Sequence, residues 1–319
     1  MPNVAADQQV SRFLENISIL VGAPAIAQDR FGVAVSGGPD SMALLWLAYQ
    51  AFPGHMLAAT VDHGLRAEAR GEAEMVATYC AQHDIPHAIL SPDAPIIGNV
   101  QSAARAARYA LLHEWCETHG IDWLLTAHHA DDQMETLLMR LNRSSGVGGL
   151  AGVRARNGAV LRPLLGWRRN ELSAIVAEQC LPHALDPSNA DMRFDRVAMR
   201  QHLSDVDWLD PLAFARSADA LANAQDALDW MADELAQHYV REEDGAILLT
   251  RHDFPREMQR RLILLMLLRL EPGLVPPRGA TLDQALVQLE AGNKAMIGDL
   301  LIVGGHSWVI KHAPPRSLV

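Results

Sequence analysis

Between residues 31 and about 165, short apolar runs alternate with longer segments of helical periodicity. The predicted strands are FGVAV (31–35), MLAATV (56–61), HAIL (87–90), WLLTA (123–127) and AVLRPLL (159–165). The predicted helices cover about 40–51, 66–83, 99–119, 131–142 and 168–180. This alternation favours right-handed crossovers and therefore an α/β fold, a parallel twisted sheet with helices on both faces. Ligands of such sheets bind at the carboxyl ends of the strands.

The alternation stops after LPHALDPSNAD (181–191). Amphipathic helices are predicted at 213–240 and 253–270, where apolar residues recur at spacings of three and four. The final GDLLIVGGHSWVIKHAP predicts a hairpin that turns at Gly304–Gly305. We therefore predict an α/β domain over 1–208 and a smaller, mainly helical domain over 209–319 that ends in a short hairpin.

Charge and cysteine content exclude some classes of protein. The net charge of −11 argues against broad, nonspecific binding to a polyanion, although residues 140–200 carry ten arginines against five acidic residues. Cys80, Cys116 and Cys180 are far apart, so they predict neither a disulfide framework nor a Cys-x-x-Cys site. No apolar run is long enough to cross a bilayer, and the N-terminus lacks a basic region before an apolar one. We expect a cytoplasmic protein without a membrane partner.

The most informative loop joins the first predicted strand to the first predicted helix. It reads Ser36-Gly37-Gly38-Pro39-Asp40-Ser41. Glycine-rich turns of this kind bind phosphate through backbone N–H groups and the helix N-terminus. A Walker A loop would need a lysine after its glycine, and a Rossmann loop a third glycine at position 41, so both are excluded. An ordinary turn with Asp40 or Ser41 as N-cap is the simpler alternative.

Two further segments carry polar residues that could face a nucleotide. Asp62 and His63 of VDHGLR follow the second strand, where a plain turn using Gly64 would also explain them. On the third predicted helix, Gln101, Arg105 and Arg108 share one face, and the two arginines could bind phosphate or belong to a solvated surface.

The segment TAHHADDQMETLLMRL (126–141) begins another helix with an acidic cluster. Asp132 and Glu135 lie three residues apart and face the same way. They could hold Mg²⁺ between ATP phosphates or receive a substrate ammonium group, whereas a capping cluster at the helix start is the simpler alternative. Without a His-Glu-x-x-His pattern, a hydrolytic zinc site is disfavoured.

The hexapeptide loop resembles that of the PP-loop ATP pyrophosphatases, which cleave ATP between its α- and β-phosphates. The wider set of motifs resembles the tRNA(Ile)-lysidine synthetase family. The matching segments occur in the family's order: SGGPDS, VDHGLR, AARAARYALL, AHHADDQMETLLMRL, GVGGLAG (146–152), RPLL (162–165) and DPSNADMRFDRVAMR (186–200). AHHADDQMET and DPSN followed by Arg200 are the most specific.

This resemblance implies a PP-loop, adenine nucleotide alpha hydrolase-like fold and a ligase that uses ATP and Mg²⁺. Family members join L-lysine to the wobble cytidine of the isoleucine tRNA with a CAU anticodon. The base is first adenylated and pyrophosphate leaves; the lysine ε-amine then displaces AMP. A ring carbonyl oxygen leaves poorly and AMP leaves well, so activation divides one difficult displacement into two easier ones.

The resemblance also implies roles for individual residues. The nucleotide-binding set comprises Ser36, Gly37, Gly38, Pro39, Asp40, Ser41, Asp62 and His63. Asp40 and Asp132 would be the magnesium ligands, and Glu135 would meet the lysine ammonium group. Arg200, with either Arg105 or Arg108, would neutralise phosphate or position the base.

Contacts to tRNA are implied less specifically. Arg140, Arg143, Arg154 and Arg156 lie in the basic 140–200 segment, which would follow the anticodon stem. The resemblance implies that 1–208 is the ATP-binding catalytic domain and that the domain over 209–319 binds the rest of the tRNA. The chain departs from the family at Arg143-Ser144 and Arg196-Val197, which affects tRNA contacts rather than the adenylation centre. The oligomeric state is open, with a homodimer as one option.

Three other functions compete with the ligase. A PP-loop tRNA thiolase would activate a base in the same way, but such enzymes generally use a reactive cysteine pair. A PP-loop amidotransferase-like ligase would cleave ATP without needing tRNA. A nucleotide-binding regulatory protein would bind ATP and form no AMP.

Overall fold

The structure is a computed structural model that describes residues 4–22, 28–64, 67–93, 100–184, 195–203 and 206–314. The helices are α1 (Val4–Val21), α2 (Pro39–Ala51), α3 (Ala67–Gln82), α4 (Val100–His119), α5 (Ala130–Asn142), α6 (Val147–Leu150), α7 (Arg169–Glu178), α8 (Asp195–Leu203), α9 (Pro211–Tyr239), α10 (Arg256–Leu270) and α11 (Gly279–Glu290). The strands are β1 (Phe31–Ala34), β2 (Met56–Val61), β3 (His87–Leu90), β4 (Trp123–Leu125), β5 (Arg156–Asn157), β6 (Val160–Leu161), β7 (Val240–Glu243), β8 (Ala246–Leu249), β9 (Lys294–Ile297), β10 (Leu300–Val303) and β11 (Trp308–His312). Among the described helices, none is long and apolar enough to span a membrane.

The chain divides into two compact units, Met1–Ala222 and Asn223–Val319. The division falls within α9, whereas the boundary predicted at residue 208 precedes the start of that helix at Pro211.

The first unit is built on one sheet with the strand order β3-β2-β1-β4-β6-β5. The pairs from β3 to β6 are parallel, and the short β5 pairs antiparallel with β6 at the edge. Each of the five predicted strands has a counterpart, although the strand predicted over 159–165 is only Val160–Leu161, and each of the five helices predicted in this region appears. The predicted α/β fold is therefore confirmed.

Neighbouring residues of each strand enter different apolar clusters, because successive side chains of a strand point to opposite faces. Ala58, Leu125 and Leu161 belong to the larger cluster, which also includes residues of α1, α2, α3 and α7. Ala59, Leu124 and Val160 belong to the smaller cluster with Leu112 and Trp115 of α4. Helices thus cover both faces of the sheet.

Helix α2 follows the glycine-rich loop and is buried on every side. Its residues from Ser41 to Ala48 are all buried, which fits the nearly continuous apolar sequence MALLWLA. Helices α1 and α7 pack against it. Sequence analysis did not predict α1, whose Phe13 and Ile17 are fully buried in the larger cluster.

The second unit contains an antiparallel sheet with the order β7-β8-β11-β10-β9. Its core includes Trp308 from the sheet, Leu262 from α10 and Leu286 from α11. The predicted final hairpin corresponds to β10 and β11, which pair antiparallel. Sequence analysis did not predict β7, β8 and β9.

Gly304 offers a test of packing in the second unit. A Cβ atom at this position would lie 2.5 Å from the carbonyl oxygen and 2.9 Å from the Cα of Leu289. Because both neighbours are backbone atoms, Gly304→Ala is expected to lower the free energy of unfolding by about 1–3 kcal/mol. Urea denaturation would measure this, with Gly273→Ala, which meets open space, as the control. Equal midpoints for the two variants would contradict the prediction.

Candidate active site

The polar residues singled out in the sequence follow three adjacent parallel strands. β2, β1 and β4 are neighbours in the sheet, so their carboxyl ends lie at one edge. The loop from Ser36 follows β1, Asp62 follows β2, and His129 precedes α5 after β4. The topology therefore gathers these segments at the edge where α/β sheets bind ligands.

The glycine-rich loop bends at Gly37, which is buried and has a φ of +84°. A side chain would be strained in this left-handed conformation. The two loop serines hold the bend: the backbone N–H and the hydroxyl of Ser36 both donate to Ser41 Oγ at 3.2 Å, and Ser41 donates to the Gly38 carbonyl at 2.9 Å. The serine hydroxyls thus stabilise the bend of the loop.

The structure places Gly38 at the N-cap of α2, with Pro39 in the first turn. No side-chain cap hydrogen bond is present at this helix start. Asp40 and Ser41 therefore lie inside the helix and are not its cap. The first-turn N–H groups lack intrahelical partners, which is the arrangement that binds phosphate at helix N-termini.

His129 joins the carboxylates of two helices. Its side chain is only 1% exposed, and its Nε2 lies 3.4 Å from Asp40 and 3.5 Å from Asp132. Its Nδ1 lies 3.5 Å from Asp131, and its backbone N–H donates to Asp132 at 3.1 Å. Burial opposes the charged form, but the neighbouring carboxylates of Asp131, Asp40 and Asp132 raise the pKa of His129 to about 9. The imidazolium therefore balances a dense group of negative charges.

The same carboxylates provide a donor set that fits Mg²⁺. Asp40 and Asp132 both approach one nitrogen of His129, so they are close to each other. Asp40 Oδ1 is buried without a hydrogen-bond partner among the described residues. Mg²⁺ in nucleotide sites is held by one or two carboxylates together with phosphate oxygens and water, which is what this pair could supply.

Glu135 is paired with arginines. Its side chain is 2% exposed, and it accepts from Arg200 Nε at 2.8 Å and from Arg200 Nη2 at 3.1 Å. Arg169 Nη2 lies 3.6 Å from the same carboxylate. The hydrogen bond to Glu135, followed by the charges of Glu135, Asp132 and Asp40, raises the pKa of Arg200. Arg200 thus connects Glu135 electrostatically to the other carboxylates.

The remaining predicted nucleotide residues surround the end of β2. Asp62 is buried and accepts from the backbone N–H of Gly64 at 2.9 Å, where Gly64 has a φ of +62°. Burial, followed by the charge of Arg108, lowers the pKa of His63. Arg105 instead lies over the ring of Tyr109, at 5.2 Å from its centroid. Arg108 is thus close enough for its charge to act on His63, while Arg105 contacts Tyr109 on its own helix.

Two arginines predicted to contact RNA are engaged with the protein itself. Arg140 donates to the carbonyls of Gly149 and Gly152 and fixes the glycine-rich segment after α5. Arg156 donates to the Leu20 carbonyl at 3.0 Å and lies over the ring of Trp123. The structure therefore gives both a role in packing.

Sequence analysis missed Arg169 and left the role of His129 open. Arg169 follows RPLL after a short gap, and its position in the first turn of a predicted helix carried no chemical signal by itself. Asp131 accepts from the backbone N–H of Arg169 at 2.8 Å, which places the guanidinium near Glu135. Residues 186–194 of the DPSN motif and residues 65–66 of VDHGLR lie outside the described residues, as does the side chain of Gln101.

Comparisons with known proteins identify chains that are similar to this one. The PP-loop domain family matches residues 2–206. The tRNA(Ile)-lysidine synthase of Novosphingobium aromaticivorans is 43% identical over 275 residues, which is 84% of each chain. The tRNA(Ile)-lysidine synthase of Zymomonas mobilis is 38% identical over 96% of this chain and 94% of its own.

A solved structure shows the same fold. The U34-tRNA thiolase NcsA from Methanococcus maripaludis, with its [4Fe-4S] cluster, superposes with a TM-score of 0.54 at 15% identity. The superposition covers 68% of this chain and 79% of the thiolase chain. At this identity the likeness concerns the fold alone.

Proposed function

The chain belongs to the tRNA(Ile)-lysidine synthase family of PP-loop proteins, and from this premise we propose that it ligates L-lysine to the wobble cytidine of the CAU anticodon of tRNA(Ile). ATP would be the co-substrate, and lysidine, AMP and pyrophosphate the products. The observation that carries the proposal is that curated relatives align with almost the whole chain. The relative from Zymomonas mobilis is 38% identical over 96% of it. Both ATP and tRNA are cytoplasmic molecules, so we place the protein in the cytoplasm.

The nucleotide loop supports adenylation followed by loss of pyrophosphate. The uncapped N-terminus of α2 and the bend at Gly37 offer backbone N–H groups to phosphate oxygens. Arg108 adds positive charge near the end of β2. Asp40 and Asp132 would hold Mg²⁺, which when bound offsets the negative charge of the phosphates.

Glu135 is the group we assign to the lysine ammonium. In this structure its carboxylate is occupied by Arg200 and Arg169. A lysine ammonium and Arg200 would therefore compete for Glu135, and Arg200 would be released towards the phosphate of the adenylated base. Such a release fits a cation that already feels the charges of Asp132 and Asp40.

The cysteines argue against a thiolase. Cys80 and Cys116 are buried, and burial raises their pKa values to about 12 and about 11, which disfavours the reactive thiolate. The triple variant Cys80→Ala, Cys116→Ala, Cys180→Ser is expected to keep at least about half of the activity at 25 °C. The three substitutions are small and leave the charge unchanged, and Cys180 is exposed. Turnover of the folded variant would be compared with that of the parent. Loss of turnover from a folded triple variant would favour a thiolase.

The direct test follows labelled lysine into a tRNA(Ile) transcript with the CAU anticodon, in the presence of ATP and Mg²⁺. Chromatography separates AMP from ADP. The proposal expects label in the tRNA with a matching amount of AMP and no AMP when tRNA is omitted. AMP without label would indicate another nucleophile, AMP without tRNA would indicate a small-molecule ligase, and the absence of AMP would leave a binding protein.

A further inference from the structure

A cavity of about 400 Å³ lies in the first unit, beside α5. Gln133 lines it, and Gln133 follows Asp132 and precedes Glu135 by two positions on α5. Side chains two positions apart on a helix leave it on opposite sides. The cavity is therefore separate from the site where the base would be adenylated.

One wall of the cavity is the segment Val153–Ala155, and several hydrogen bonds fix its backbone. Gln133 donates to the Val153 carbonyl and accepts from its N–H, both at 2.7 Å. Arg162, a buried residue, donates to the Arg154 carbonyl at 2.7 Å through its side chain and to the Ala155 carbonyl at 2.8 Å through its backbone N–H. A wall held in this way is formed before any ligand arrives, as is usual for binding sites.

The opposite wall is one face of α9. Leu212, Ala215, Asp219 and Ala222 line the cavity at spacings of three and four residues. The two alanines leave room between the walls, and Asp219 and Arg216 are the charged lining residues of this wall, with Arg216 Nη2 3.6 Å from Asp210. Arg154 is a charged lining residue of the first wall.

We propose that this cavity holds an unstacked nucleobase of the bound tRNA, from a loop nucleotide other than the cytidine that is modified. Apolar walls suit the faces of a base, a carboxylate can accept from its amino or imino groups, and arginines among the lining residues suit the flanking phosphates. The volume lies within the range of small-molecule sites, which is ample for one nucleoside. This inference rests on the proposed function, because it takes tRNA as the substrate.

The test uses binding alone, so that it does not depend on lysine transfer. Ala215→Phe would fill the cavity, and Ala220→Phe adds the same side chain at an exposed position of α9 that does not line it. The probe is a tRNA(Ile) transcript with the CAU anticodon, assembled from two halves so that one loop nucleotide at a time can be abasic. We expect Ala215→Phe to raise the Kd for the complete tRNA at least about tenfold, and Ala220→Phe to leave it within about twofold.

The abasic series identifies the occupant. At one loop position, removal of the base should raise the Kd for the parent protein about as much as Ala215→Phe raises the Kd for complete tRNA. The Kd of Ala215→Phe for that abasic tRNA should then be little higher than either value. Equal Kd values for the two phenylalanine variants, or a penalty that adds fully at every loop position, would overturn the inference.

A second variant guards against misfolding of Ala215→Phe. Asp219→Asn preserves volume and removes the carboxylate, and Asp233→Asn is its control at an exposed site on α9. Asp219→Asn should raise the Kd for tRNA about threefold or more, and no difference from Asp233→Asn would count against the inference. If the parent binds tRNA with this dependence but transfers no lysine, the proposed function fails and the nucleobase site stands.

Discussion

Asp40→Asn is expected to reduce ATP-dependent AMP formation by about 10³-fold while the protein remains folded. Asparagine has nearly the shape of aspartate, so the change removes charge rather than volume. In the structure Asp40 Oδ1 is buried without a hydrogen-bond partner among the described residues, and Oδ2 approaches His129. Asp40 Oδ1 could therefore serve as an anionic ligand of a metal ion beside the proposed phosphate-binding loop, and the neutral amide of asparagine would be a weaker ligand.

The measurement is single-turnover AMP formation at saturating tRNA and ATP. Asp233→Asn, an exposed substitution on α9, is the matched control and should retain parental rates. Circular dichroism would establish that both variants fold. If Asp40→Asn formed AMP at the parental rate, Asp40 would not belong to the adenylation site. If the rate fell and higher Mg²⁺ concentrations restored it, the assignment of Asp40 as a metal ligand would be supported.

Much of the first unit could be predicted because its elements have simple periods. β2 and β3 match the predicted strands at both ends, since short apolar runs flanked by turn residues leave little choice. α1 was not predicted, although Phe13 and Ile17 are four positions apart and share one buried face.

In the second unit, the helical pattern of the sequence did not indicate the hairpin formed by β7 and β8. The helix predicted to end at residue 240 is followed directly by β7. The Asp244–Gly245 dipeptide then forms the turn between β7 and β8. Both residues have positive φ angles, 49° and 73°. Asp-Gly between strand segments is the usual signature of a tight hairpin, so this hairpin was readable from sequence. The neighbour of β8 in the sheet, β11, is distant in sequence and could not be read in this way.

In the candidate site, sequence could name residue types but not their partners. The spacing of Asp132 and Glu135 places both on one face of α5, yet it does not show that Glu135 meets Arg200, which is 65 positions away. It also does not show that His129 stands between carboxylates of two helices. Such pairings depend on how strands are ordered in the sheet, and this information is not local.

Glu135→Gln is expected to separate lysine binding from adenylation. The variant keeps the side-chain volume and one acceptor oxygen, but it leaves Arg200 and Arg169 facing a neutral group. We expect the KM for lysine to rise at least about tenfold, because a charge-assisted contact to the ammonium is lost. Single-turnover AMP formation should stay within about threefold of the parent, since Asp40 and Asp132 are unchanged.

The same substitution should lower the free energy of unfolding by about 2–3 kcal/mol, because it removes one partner of a largely buried ion pair. The double variant Glu135→Gln, Arg200→Gln is the control: it removes both charges and should recover part of that stability while failing to restore the KM for lysine. If Glu135→Gln instead lost AMP formation as completely as Asp40→Asn, Glu135 would belong to the adenylation site. A carboxylate that binds lysine has to release Arg200 when the lysine ammonium arrives. If Glu135 belonged to the adenylation site instead, its contact with Arg200 would persist throughout the reaction.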